Sequence, residues 1–407
     1  MGIGDRFARQ GAAQLKALQI SEKKGIAITP VWNKSNREHE IMYTTPEDTR
    51  YAADAAVREA NWQGQYFVDA DHITLANVDR FIGACDYFTL DVAESIGKTA
   101  ADADIQAFIL RNQDPVKIPG MAELLATNRN SLERIAYTYL KAIHDAALLY
   151  QHIENTKGKG RFITEVSMDE VANAQTPADL YFILKELARL GVPVSAIAPK
   201  FTGRFNKGVD YVGDIGRFER EFEENLLVIK QVVKESGLPS YLKLSIHSGS
   251  DKFSLYPVMG RLIRKYDAGL HLKTAGTTWL EELTGLALAG GDALEMAKNI
   301  YFKSLDRFDE LTSPYVTVIN IDRGQLPPVQ EVAGWTGRQF ADALRHDQSN
   351  RSYNVHFRQL LHVSYRIAAE YSNIYIHHLM ANKELVGQQV SENLYDRHIR
   401  RIFEDKH

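Results

Sequence analysis

Two histidines, His247 and His271, offer the most distinctive chemistry in the chain. Each follows or sits within a short apolar run, residues 242–246 and 269–272. The stretch between them fits one strand–helix–strand unit, because Val258, Leu262 and Ile263 recur at helical spacing over residues 256–266. In a parallel barrel the C-terminal ends of neighbouring strands converge on one mouth, and imidazoles gathered there can hold a divalent metal. Asp69-Ala70-Asp71-His72 follows another strand-like run. His72 could supply a third metal nitrogen and Asp71 could move a proton. The competing reading makes these acids helix N-caps, and for Asp69 the cap is the favoured reading. Glu165 ends the run 162–165. A carboxylate there must be solvated, paired or metal-bound, so it is a ligand, a general acid or the partner of Lys200.

Around these groups the strand ends collect small and cationic residues. His247 opens the stretch Ser248-Gly249-Ser250-Asp251-Lys252, where small residues let backbone N–H groups approach a ligand and Lys252 adds charge. Lys273 leads the equivalent stretch after His271, and Asn320, Asp322 and Arg323 follow the run 316–319. Lys200, Ser248, Asp251, Lys252, Lys273 and Arg323 are therefore the expected substrate contacts, for an anionic, hydroxyl-rich small molecule. His377 and His378 form a competing pair. Neighbours on a strand face opposite sides, so one of them at most would enter a barrel.

The elements that must position these groups are eight strand-like runs: 66–69, 87–90, 162–165, 194–198, 242–246, 270–272, 316–319 and 374–376. Most are followed by a helical pattern, which predicts a (β/α)8 TIM-type barrel with helical insertions. The chain is expected to form a single elaborated barrel domain over residues 1–407, with an N-terminal extension over 1–60 and a helical insertion over about 95–160. A first helix is expected before residue 24, a short strand at 26–28, an irregular polar segment at 33–48, and helices at 121–126 and 131–150.

Composition narrows the class. Hydrophobic residues make up 44% and charged residues 25% of the 407, typical of a globular chain. A net charge of −4 gives no general attraction for nucleic acid or an anionic membrane. No apolar run approaches the roughly 18 residues of a membrane span, and residues 1–16 carry no apolar signal core, so a cytoplasmic location is expected. Cys85 is the single cysteine, which excludes an internal disulfide or a thiolate cluster. No glycine-rich nucleotide loop and no serine nucleophile elbow occurs. The oligomeric state is left open, an assembly included.

Three motifs carry a family resemblance: Phe67-Val68-Asp69-Ala70-Asp71-His72-Ile73, residues 243–253 around His247, and Leu270-His271-Leu272-Lys273-Thr274-Ala275-Gly276-Thr277. Together they resemble the tagaturonate epimerase family, from about residue 60 to the C-terminus. The resemblance implies interconversion of D-tagaturonate and D-fructuronate, in hexuronate catabolism, with one divalent cation (Zn, Ni, Mn, Co or Fe). It implies Asp71 as proton acceptor, Glu165 as proton donor, and His72, His247 and His271 as metal ligands. The two sugar acids differ at C3, which is β to the C5 ketone. A proton there is not acidic, so enolisation alone cannot invert that carbon. Retro-aldol cleavage of C3–C4, rotation of the aldehyde and re-addition on its other face would do so, with acid/base groups on both sides. The alternatives are a metal-dependent ketose isomerase or aldolase of the same barrel type, and a non-catalytic sugar-acid binding protein.

Overall fold

The computed structural model describes residues 1–404 apart from Glu170, Ala172, Ser248, Thr274 and Ala275. Its centre is a sheet of eight parallel strands running in chain order. They are β1 (Gly2–Ile3), β2 (Val31–Ser35), β3 (Phe67–Ile73), β4 (Tyr87–Asp91), β5 (Ile163–Ser167), β6 (Ala196–Ala198), β7 (Lys243–Ile246) and β8 (Leu270–Leu272). The sheet curls into a nearly closed barrel with helices between the strands, the (β/α)8 class expected. Parallel neighbours need a crossover. The helix Tyr256–Tyr266 supplies the one between β7 and β8, at the predicted residues, and Arg129–Lys157 lies between β4 and β5.

Alternation along the strands sorts the side chains. Val68 and Ala70 of β3, Phe88 and Leu90 of β4, Val166 of β5, Leu244 and Ile246 of β7 and Leu272 of β8 are buried in the main apolar core. The intervening residues are polar and also buried: Asp69 and Asp71, Thr89, Glu165 and Ser167, Ser245, His271 and Lys273. The barrel lumen is therefore a polar chamber surrounded by an apolar shell.

Two expected strands do not form. Residues 316–319 are turn and irregular chain, with Val318 N–H bonded back to Tyr315. Val316 is 69% exposed and only Ile319, at the end of the run, is buried, so this β-branched run has no alternating inner face to pack as a strand. Residues 374–376 lie in the helix Asn373–Ala381, which buries Tyr375 and Leu379 one turn apart. The helical period overrode the local β propensity, and it places His377 and His378 on this helix. The two barrel positions are taken by β1 and β2, from the segment expected to be an extension. β1 has two residues, too few for any periodicity. β2 reads Val-Trp-Asn-Lys-Ser, and its Asn33 and Ser35 share the register of Asp69 and Asp71. A polar inner face concealed it, and the polar stretch that follows forms the helices Asn36–Met42 and Pro46–Glu59. Residues 26–28 form no strand and 121–126 no helix.

After β8 the chain is helical. Helices from Thr278–Ala289 to Lys383–Glu392 build a second apolar core around Trp279, Tyr301, Phe357 and Tyr375, which Phe7 from beyond β1 also joins. The chain then returns to the barrel, where Leu394, Ile399 and Ile402 enter the first core.

Candidate active site

Lys273 is the centre of the polar chamber. Its ammonium lies 2.8 Å from Asp69 Oδ2, 2.8 Å from Asp71 Oδ1 and 3.5 Å from Glu165 Oε2, and it donates to Thr89 Oγ1. The side chain is 3% exposed. β8 brings it there because His271 and Lys273 are two residues apart and point the same way. Burial would strip its proton, but three carboxylates hold it, and its pKa is raised.

Glu165 on β5 is fully buried. Its Oε2 accepts from Tyr87 and Thr89 hydroxyls, each at 3.1 Å, and its Oε1 lies 2.7 Å from His247 Nε2. Burial opposes its charge. Lys273, His247 and His271 outweigh that and hold the carboxyl well below its usual range. Asp71 is likewise held at about 2, because Lys273 and His72 overcome its burial. Asp69 goes the other way, to about 7: burial dominates, and the charges of Asp71 and Glu165 offset what Lys273 gives. One ammonium thus serves two ionised carboxylates and a third poised near neutrality.

Asp71 and His72 are adjacent, so regular alternation would send them to opposite faces. The β3–β4 ladder shifts register between Ala70 and Ile73, and His72 has φ +52°. A bulge with a left-handed residue turns both side chains to the mouth. The His72 ring then stands 5.3 Å from that of His247, centroid to centroid. A carboxylate holds the outer nitrogen of each: His72 Nδ1 is 3.3 Å from Asp91 Oδ2, and His247 Nδ1 is 3.4 Å from Asp169 Oδ1. Burial disfavours charge on His72, but Asp71 and Asp91 raise it to about 10; Glu165 and Asp169 raise His247 in the same way.

His271 lies stacked on Tyr87 at 5.5 Å. Its Nε2 is buried without a hydrogen-bond partner, and burial drives its pKa well below 6.5. A neutral imidazole with an open nitrogen, and two others oriented by carboxylates, have the donor chemistry of a divalent-cation site. Among the described residues, no three His, Cys, Asp or Glu side chains are already disposed to hold an ion. In this arrangement His247 Nε2 is turned onto Glu165.

The other expected contacts divide. Lys200 follows β6 at the mouth end, and its backbone N–H is bound by Gln175. Glu165 takes Lys273 and His247 as partners rather than Lys200. Asp251 and Lys252 are buried, 2% and 0% exposed. Asp251 Oδ2 binds His346 Nδ1 at 2.6 Å and Arg358 Nη2 at 2.9 Å, while Lys252 Nζ donates to Ser250 O. Asp251 thereby joins the loop after β7 to the helical region. Arg323 is exposed, 3.8 Å from Asp309, because no strand precedes it to carry it to the mouth. Ser248 lies outside the described residues. Tyr87, Thr89, Asp91, Ser167 and Asp169 also line the site, outside the residues expected from the sequence. Their signal was the alternation Tyr87-x-Thr89-x-Asp91 and Glu165-x-Ser167-x-Asp169, which puts polar groups on one strand face.

A parallel barrel whose mouth gathers paired carboxylates, imidazoles and a buried lysine has the build of an enzyme performing acid/base chemistry. Matched over residues 1–404 by the family of tagaturonate epimerases, this chain belongs to that family. It is 29% identical over 380 residues to a tagaturonate/fructuronate epimerase of Thermotoga maritima, covering 89% of this chain and 72% of that protein. Native and glycerol-complexed crystal structures of a fructuronate-tagaturonate epimerase from Cohnella laeviribosi share its fold, with a TM-score of 0.81 and 23% identity. The match covers 98% of this chain and 80% of that one. The family's enzymes are epimerases, a class of isomerase. Among the described residues, no helix is long and apolar enough to cross a membrane.

Proposed function

We propose that this chain interconverts D-tagaturonate and D-fructuronate by retro-aldol inversion at C3, with His72, His247 and His271 binding one divalent cation. Membership of the epimerase family over the whole matched length carries the choice of substrate. The convergence of Asp71 and Glu165 on Lys273 supports the route, because inversion needs proton transfer on both faces of one carbon. The cation, when bound, acts as a Lewis acid on the ketone and hydroxyl oxygens of the sugar.

The chain's own residues do the rest. The Asp71 carboxylate accepts the C3 hydroxyl proton. The O–H electrons become the aldehyde carbonyl, the C3–C4 bond breaks, and its electron pair enters the C4–C5 enediolate. The aldehyde turns about C2–C3 and presents its other face. C4 attacks it, and the new C3 alkoxide takes a proton on the opposite side through Glu165, which is ionised at rest and is supplied by the Lys273 ammonium, itself restored by the proton that Asp71 took up. Lys273 holds both carboxyl groups in place, and the buried lumen keeps water from trapping the intermediate. The bulge at His72 keeps base and imidazole on the same side.

The test is to incubate the metal-loaded protein with D-tagaturonate and follow D-fructuronate. Product should form, stop on chelation and return with a divalent cation. His247→Ala should lose both bound metal and turnover. An active variant without metal would overturn the metal assignment, and a loaded wild type that forms no fructuronate would overturn the substrate.

A further inference from the structure

The Lys273 ammonium is committed to three carboxylates, so the carboxylate of a sugar acid needs another cation at the mouth. Lys252 is fully buried and donates to Ser250 O, and Arg323 stands at the surface beside Asp309. Lys200 is placed differently. Ile197 of β6 packs in the main apolar core, whereas Ala196 and Ala198 on either side of it are buried and belong to neither core. The two alanines therefore face the lumen. Ala198 and Lys200 turn their backbone groups the same way: Ala198 O accepts from Met168 N–H and Lys200 O from Gln175 N–H, in the chain that leaves β5. Alternate residues of a strand share one face, so Lys200 continues the row of the two alanines.

Register sets its height. Ala196 pairs with Glu165 of β5 and with Lys243 of β7, so four residues further on Lys200 stands level with Asp169 and His247. Gln175 fixes it there. Its side-chain oxygen accepts from Lys200 N–H, and its amide nitrogen donates to Met168 O at 3.1 Å. The Lys200 side chain is half-buried, and among the described residues no hydrogen bond or ion pair holds its ammonium. Asp169, at the same level, is taken by Ser167 and His247.

The chamber opens at this level. The side chains of His72, Asp91 and Asp169 are 24%, 19% and 20% exposed, against 0%, 3% and 4% for Glu165, Lys273 and His247. A ligand entering from the mouth rests on that upper tier, and the alanines of β6 leave it room where β5 and β7 carry larger polar side chains. The carboxyl carbon of the substrate is two bonds from the carbon that inverts. Neighbouring strands are about 4.8 Å apart, and β6 lies between the strand of Glu165 and the one that leads to His247, so a lysine at its end spans that short separation.

We propose that Lys200, positioned by Gln175, binds the carboxylate of the sugar acid and so selects a uronate over a neutral ketose. The identity of the ligand rests on the epimerase reading; the placement of the cation does not. Lys200 supplies a point charge and N–H donors to one end of the substrate and takes no part in bond breaking.

Calorimetric titration of D-tagaturonate into wild type, Lys200→Met and Lys200→Arg reads the subsite directly, and initial rates on the same proteins separate KM from kcat. Losing one charged hydrogen bond should weaken binding about 10- to 100-fold. The loss should appear mainly in KM and be partly restored in Lys200→Arg. D-Tagatose, which carries a hydroxymethyl group in place of the carboxylate, should bind wild type and Lys200→Met alike. Three results overturn the subsite: Lys200→Met that binds tagaturonate as tightly as wild type, that loses kcat with KM unchanged, or that loses affinity for tagatose as well. A wild type that binds tagaturonate without turning it over sinks the epimerase reading and leaves the subsite standing. A wild type that does neither sinks both.

Discussion

Replacing Lys273 by methionine removes the charge at the centre of the site while keeping much of its bulk. Asp69, Asp71 and Glu165 then face one another in a chamber where the lysine was 3% exposed. Breaking a buried ion pair from one side costs about 3–5 kcal/mol, because the partner charge is left uncompensated. Unfolding entropy near 2.1 cal/mol/K per residue gives about 0.85 kcal/mol/K for 407 residues, so Tm should fall by about 4–6 °C. The loss should also depend on pH. In wild type, Asp71 is held at about 2, so its contribution is complete above the ordinary carboxylate pKa and lost only as pH falls towards 2. In the variant, the buried carboxyls bind protons more tightly folded than unfolded, so acid favours the folded state. The Tm gap should therefore narrow from about pH 8 to about pH 5.5. Turnover should drop by about 10²–10⁴-fold, the range of general acid/base assistance. Scanning calorimetry at both pH values and a rate assay check this. A Tm change below about 1 °C, with activity retained, would refute the placing of Lys273 as the hub.

Two further outcomes follow from the second buried cluster. Asp251→Ala should destabilise by about 3–5 kcal/mol, because Arg358 is left charged and buried, and Asp251→Ala with Arg358→Met should recover part of that in denaturant titrations. His398 is buried against Tyr256 and held neutral, with its pKa lowered to about 3 mainly by burial. Its contribution is complete above the unfolded value near 6.5 and is lost as pH falls from there towards 3. Between pH 6.5 and pH 4.5 wild type should therefore lose about 2 kcal/mol more than His398→Phe, by urea midpoints at the two pH values.

The fold class was legible because six of the eight strands carry apolar residues on the outward face, which a local pattern detects. β1 and β2 were not, since one is two residues long and the other hides a polar inner face. The false strands show the converse: at 316–319 mostly exposed β-branched residues make no strand, and at 374–376 the helical spacing of Tyr375 and Leu379 prevails over local β propensity. Within the site, Asp71, His72, Glu165, His247 and Lys273 could be picked out because reactive types stood at strand ends. The role of Asp69 could not. An acid before a helix reads as a cap, and only the register of β3 against β4 and the reach of Lys273 place it in the lumen. The placement of the cations was not legible for a related reason. Sequence shows that lysines and arginines cluster near strand ends, but not that Lys252 is fully buried or that Arg323 follows no strand.

The most direct test of the account is the fate of the hydrogen on C3. Wild-type protein loaded with a divalent cation, given D-tagaturonate in D2O, should yield D-fructuronate that keeps protium at C3 by proton NMR, because a retro-aldol cut leaves that hydrogen on the aldehyde carbon. Deuterium at C3 would mean that the carbon is deprotonated directly, contradicting the cleavage route and the roles given to Asp71 and Glu165.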